Sequence, residues 1–133
     1  MLNLALAALL VSAPANSVTV QFSGLVPHQG HLMVQLCTAD EFVRFACARQ
    51  QRIAAGDAPA TVVFTGVPAG RYGIMSFQDL DDNGQIARAM TGMPTEPWGY
   101  SGHPEFLMGP PSFDSVAFDV PATGASLNIH LQK

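Results

Sequence analysis

Charge is scarce in this chain: only 12% of its 133 residues are charged, with 6 lysines and arginines against 10 aspartates and glutamates. Typical globular chains carry about a quarter. With a net charge of −4 and no basic cluster, the sequence offers nothing for a phosphate backbone to meet. That argues against nucleic acid as a partner, and against an anionic membrane surface for the same reason. Cysteine is equally scarce, and Cys37 and Cys47 do not form the C-x-x-C pair of a thiol-redox site. No serine sits in G-x-S-x-G; Gly99-Tyr100-Ser101-Gly102 is not that elbow. No apolar run reaches the roughly 20 residues that a spanning helix needs, so no transmembrane segment is expected in the mature chain. What the chain does have is 48% hydrophobic residues, which excludes a solvated disordered polymer. Its length suits one domain with its own core.

The N-terminus reads as a processing signal. The apolar run from Leu2 to Val11 is followed by the small residues Ser12-Ala13-Pro14-Ala15-Asn16-Ser17. This is the h-region and cleavage site of a secretory signal peptide; a short core helix is the alternative. The domain organisation expected is a signal peptide over residues 1–17 and one domain over 18–133, with a periodic alternation that begins at Val18.

Val18, Val20 and Phe22 alternate with Thr19, Gln21 and Ser23, which is a half-buried strand. A Pro27-to-Gly30 turn leads to a second strand over His31 to Thr38, and the two read as a hairpin. Ala39 to Arg52 changes period and reads as one or two helical turns, capped by Thr38 or Asp40. Further strands are expected over Ala60 to Thr65, Arg71 to Gln78, Ser115 to Val120 and Ala125 to Leu131, the first two as a hairpin joined by Gly66-Val67-Pro68-Ala69-Gly70. Six or seven short strands with turns between them predict an all-β protein, a single antiparallel β-sandwich or small barrel with one short helix.

Between the strands lies a long stretch, Phe77 to Phe113, rich in Gly, Pro, Met and aromatics. A loop of this length in a small domain is functional or disordered, and its aromatics argue for an ordered, packed loop. Asp79, Asp81 and Asn83 occupy alternate positions before Gly84, and Gln85 would add a backbone carbonyl. That spacing can wrap oxygen ligands around Ca²⁺. The later carboxylate of such a loop is missing, since Ala87 and Met90 hold its places; Asp82 or Glu96 would supply it only if the chain folded back. The alternative is a turn in which Asp and Asn bond their own backbone. Trp98, Tyr100 and Phe106, with Glu96, form a candidate ligand surface; the aromatics read either as a cap on an open end of the sandwich or as an exposed platform for a sugar or peptide. Cys37 and Cys47, an even pair in an exported chain, are expected to form a disulfide.

The motifs V-P-A-G-R-Y-G-I, F-Q-D-L-D-D-N-G, G-M-P-T-E-P-W-G-Y-S and G-P-P-S-F-D-S-V-A-F occur in that order. Together they resemble the exported bacterial domains of unknown function 2141, over roughly Val18 to Leu131. The resemblance implies a periplasmic or secreted β-sandwich similar to the prealbumin-like sandwiches, and it implies no known activity. The chain departs from the family pattern at Ala87, where a further Asp is usual. The function expected is a non-catalytic binding or accessory module of the bacterial envelope, with an unknown envelope ligand or protein as partner. Two other readings stand beside it: a structural domain with a weak calcium-stabilised Asp/Asn loop, and a hydrolase acting through the long loop.

Overall fold

A computed structural model describes residues 15–57, 59–106 and 109–133. The expected signal peptide therefore lies almost wholly outside the described residues. The fold is all-β, with eight strands in two facing sheets among the described residues.

The smaller sheet has β1 (Val18–Ser23) at its centre, between β4 (Ala60–Phe64) and β8 (Ala125–His130). β1 runs antiparallel to β4 but parallel to β8, so the sandwich is not purely antiparallel. The larger sheet runs β3 (Arg49–Ala54), β2 (His31–Cys37), β5 (Gly70–Asp79), β6 (Trp98–Tyr100), and β7 (Phe118–Val120) pairs with the start of β5. Among the described residues two short helices complete it: α1 (Ala39–Arg44) and α2 (Phe113–Val116).

The period-two alternation puts Val18, Val20 and Phe22 of β1 against Leu32, Val34 and Leu36 of β2 and Ile74 of β5, all at 0–1% exposure in one cluster. Each such side chain contributes about 1.5–3 kcal/mol on burial. Both expected hairpins are absent. β1 and β2 lie in different sheets, as do β4 and β5. The connections between them arch from one sheet to the other, and each carries a buried apolar residue, Leu25 and Val67, into the core. Alternation along a strand looks the same in either arrangement, so the turn residues alone do not choose the partner. An apolar side chain inside the turn is what favours the arch.

The one or two helical turns expected within Ala39 to Arg52 form at Ala39–Arg44. Three further expectations shift. The end of that stretch runs on as an edge strand, Arg49–Ala54. The expected strand from Ser115 begins only at Phe118, after a helical turn. A strand absent from the sequence reading, β6, forms within the long loop.

α1 is held at its start by a capping box. The Thr38 hydroxyl accepts the Glu41 N–H and the Glu41 carboxylate accepts the Thr38 N–H. That backbone bond from Thr38 is the main reason the Glu41 carboxyl is held below its ordinary value of 4.5. At its end, Cys37 and Cys47 form the expected disulfide. Cys37, Phe42, Cys47 and Val116 make a second small core, with Met75, Tyr100 and Phe113 packed against it. This core lies on the outer face of the larger sheet, opposite the main one. The double variant Cys37→Ser, Cys47→Ser is expected to lose about 2–3 kcal/mol of unfolding free energy in a urea titration. An unchanged midpoint would mean that the capping box and Phe42 hold α1 unaided.

Candidate functional site

The long loop leaves β5 at Asp79 and folds back on it through buried carboxylates. Asp79 is 1% exposed. Its carboxylate accepts the Gly84 N–H at 2.7 Å and the Asn83 N–H at 3.2 Å. Asn83 in turn accepts the Gln85 N–H at 2.9 Å, and Asp81 takes a long bond of 3.4 Å from the Asn83 N–H. These are the self-bonded Asp/Asn turns that residue type alone predicts. Asp82 and Gly84 hold positive φ, at 57° and 82°, so the chain reverses here within a few residues.

Glu96 corrects the sequence reading. It was expected on a ligand surface, yet it is 4% exposed. Its two carboxylate oxygens accept the Leu80 N–H at 2.8 Å and the Ala87 N–H at 2.7 Å, which pins both sides of the Asp/Asn turn. Carboxylate oxygens of Asp79, Asp81 and Glu96 all lie within 4.8 Å of one another. The chain thus folds back, and Glu96 brings a third carboxylate beside Asp79 and Asp81, a group that the 79–90 spacing lacked. Gly30 lets the turn dock. A Cβ there would sit 1.8 Å from the Asp79 carbonyl oxygen, on a backbone with φ of 61°.

The neighbouring titratable groups pair separately. Asp82 accepts His31 Nδ1 at 2.6 Å with Arg52 at 3.7 Å, His28 meets Asp57, and His130 meets Ser23. These three histidines have different partners at different places, so they do not converge.

Immediately after Glu96 comes β6. Trp98 pairs with Phe77 and Tyr100 with Met75, while Gly99 and Ser76 face the sandwich interior. Gly99 has to be small, because a Cβ there would lie 2.7 Å from Ile129 Cγ2. Trp98 and Tyr100 therefore stand on the outer face of the sheet, and they do not cap an open end. Their rings meet edge-to-face at 5.9 Å, and Phe106 packs on both, at 5.3 Å and 5.9 Å. Tyr100 also touches Phe42, which leads on to Phe113. The result is an aromatic row whose covered end is the second core. Its open end is Phe106, 49% exposed, over half-buried Trp98. Burial raises the Tyr100 hydroxyl pKa above 10.0, and the nearby Arg88 guanidinium opposes that shift. The hydroxyl keeps its proton and stays a hydrogen-bond donor across the physiological range.

Of the residues singled out from sequence, Asp79 and Asp81 come together, and Trp98, Tyr100 and Phe106 come together. Sequence reading missed Phe42 as a member of the aromatic row and missed β6 itself. The alternation in Trp98-Gly99-Tyr100-Ser101 was the available signal.

A family model described as an uncharacterized protein conserved in bacteria (DUF2141) matches residues 20–128. No curated protein and no solved structure matches the chain.

Glu96→Gln tests the closure of the loop. An amide in that place must turn its NH₂ toward one of the two backbone N–H donors, leaving that donor unpaired, which costs about 1–3 kcal/mol. A urea titration is expected to show that loss for Glu96→Gln, while the exposed Glu105→Gln stays within about 0.5 kcal/mol of the parent. Equal midpoints for the two variants would remove the Glu96 carboxylate as the group that closes the loop.

Proposed function

The chain belongs to DUF2141, the uncharacterized family conserved in bacteria, and from that premise we propose that it is an exported, non-catalytic binding or accessory module of the bacterial envelope. The reading of export rests on the Leu2 to Val11 run and its small-residue border. The reading as a binding module is carried by one observation: the ridge of Trp98 and Tyr100 on a strand with Phe106 packed over them, left open at Phe106. Aromatic rings present large apolar faces with few rotatable bonds, so little entropy is lost when a ligand settles on them. Pro94, Pro97 and Pro104 stiffen the segments that flank the ridge. The loop's buried carboxylates, Asp79 and Glu96, are bonded to backbone N–H groups. That favours a scaffolding role for them over acid–base chemistry.

An envelope ligand that carries both sugar and peptide faces suits such a ridge, and soluble peptidoglycan fragments are the practical probe. Titration of the mature domain is expected to give a saturable change in Trp98 fluorescence, with at least a tenfold weaker affinity in Phe106→Ala, equivalent to about 1.4 kcal/mol. Emission that does not respond, or an affinity unaltered by Phe106→Ala, would count against the ridge as the binding surface.

A second reading has its own observation. Three carboxylates within 4.8 Å, two of them buried, repel one another, and a bound Ca²⁺ would relieve that repulsion. On this reading Asp79, Asp81 and Glu96 supply the charge, and the cation stabilises the fold of the loop. A ligand that binds only the folded state raises the unfolding midpoint. Millimolar Ca²⁺ is expected to raise the midpoint relative to EDTA in the parent and to leave Asp81→Ala unmoved. Identical melting curves in EDTA and Ca²⁺ would return these residues to turn formation alone.

A further inference from the structure

The segment after the carboxylate turn is a small hairpin. Arg88 and Pro94 form an antiparallel bridge, the Ala89 N–H donates to the Met93 carbonyl at 2.8 Å, and the Gly92 N–H donates to the Ala89 carbonyl at 2.9 Å. Gly92 has φ of 89°, which completes a three-residue loop with a left-handed third position. The Arg88 guanidinium donates to the Gly92 carbonyl at 2.9 Å and ties the turn across itself. The tip is therefore a defined turn held by several bonds.

Two methionines stand on it. Met90 is wholly in water, at 105% relative exposure, and Met93 is 60% exposed. Methionine normally fills irregular gaps in a core through its three rotatable bonds. Here Met90 gains no burial and Met93 is still more than half exposed. The residues beside them at the tip, Arg88, Ala89, Thr91 and Gly92, are small or polar and exposed, so the pair does not extend into a broad apolar patch. What distinguishes the tip chemically is two thioether sulfurs, three positions apart on one closed turn.

We propose that Met90 and Met93 form a two-sulfur site for a soft monovalent cation, Cu(I) being the biological candidate. Thioethers select soft ions over Mg²⁺, Ca²⁺ or Zn²⁺, which prefer oxygen, nitrogen or thiolate. The turn bonds Met93 to Ala89, the residue before Met90, and the flexible side chains adjust the sulfurs to the ion. Both ligands are neutral and the site faces solvent, so the ion keeps open coordination positions and exchanges with other donors. That suits transfer of the ion rather than storage. Arg88 does not block it, because its guanidinium is tied back to the Gly92 carbonyl and lies near Tyr100. The site is separate in chemistry from the carboxylates of Asp79, Asp81 and Glu96, which are hard oxygen donors.

The test uses Ag(I) as a redox-stable probe on the mature domain, with the methionine ε-methyl groups carrying carbon-13 for NMR. One equivalent of Ag(I) is expected to shift the Met90 and Met93 methyl signals and to leave those of Met33 and Met75 in place, while Zn²⁺ shifts none. Met90→Leu and Met93→Leu keep the apolar bulk and remove the sulfur; each is expected to weaken Ag(I) binding at least tenfold in a calorimetric titration, and the double variant to abolish it. Both side chains are mostly exposed, so the variants are expected to fold, as circular dichroism would verify. Binding of Ag(I) to the double variant with the parent's affinity would overturn the proposal. So would a parent protein whose Met90 and Met93 signals do not respond.

Discussion

The long loop keeps its shape because Glu96 returns to the strand from which the loop departed. Its carboxylate takes the Leu80 N–H on one side of the turn and the Ala87 N–H on the other. A buried backbone donor left without an acceptor is costly, and here two are satisfied by one side chain. Asp79 does the same within the turn, for Asn83 and Gly84. The two acids together replace the ladder bonds that an irregular segment lacks. Charged acceptors make stronger bonds than neutral ones, which lets a segment without regular structure pack as closely as a strand.

The same logic runs inward along β5. Gln78 is fully buried, donates to the Val26 and Gln29 carbonyls and accepts the Val26 N–H. Ser76 donates to the Gly99 carbonyl, and Ser101 accepts the Ile74 N–H while donating to the Val116 carbonyl. Among the described residues no buried side-chain polar atom lacks a partner. β5 is therefore the spine: its apolar residues fill the main core, its polar residues fasten the arch before β2 and the edge strand β6, and Ser101 links its Ile74 N–H to the last residue of α2. On the outer face, the disulfide and α1 close one end of the aromatic row. The other end stays open at Phe106, where neither of the described helices reaches.

Much of this was legible in the sequence, and the parts that were not have physical reasons. Period-two alternation marked β1, β2, β4, β5 and β8, because one face of each meets the core. It could not tell which strands pair, since an arch and a hairpin present the same alternation; only the buried Leu25 and Val67 separate them. β3 was hidden because an edge strand reading Arg-Gln-Gln-Arg carries little apolar signal, and its inward Gln51 is satisfied by the Val63 carbonyl instead of by packing. In the site, the oxygen-ligand spacing from Asp79 to Asn83 was visible because it is local. The contribution of Glu96 was legible only as one of two conditional candidates, because it depends on a fold-back across the turn that no local pattern encodes. The aromatic cluster was legible as residue types, but which face it occupies follows from the register of β6 against β5, a tertiary fact.

That register also joins the two halves of the site. Glu96 closes the carboxylate turn, Pro97 accepts the Gln78 N–H at 2.8 Å, and Trp98 opens the aromatic ridge, all within three consecutive residues. The Trp98 backbone is bonded in both directions to Gln132, so the strand that carries the ridge is clamped between β5 and the C-terminal segment. Loosening the Glu96 carboxylate would release the chain on one side of this clamp, one residue before Pro97. The ridge would then lose its fixed register before the sandwich lost its core, because the main cluster of Val18, Leu32 and Ile74 belongs to other strands. Whatever stabilises the turn, whether backbone N–H groups alone or those with a cation, therefore also sets how rigidly Trp98, Tyr100 and Phe106 are presented.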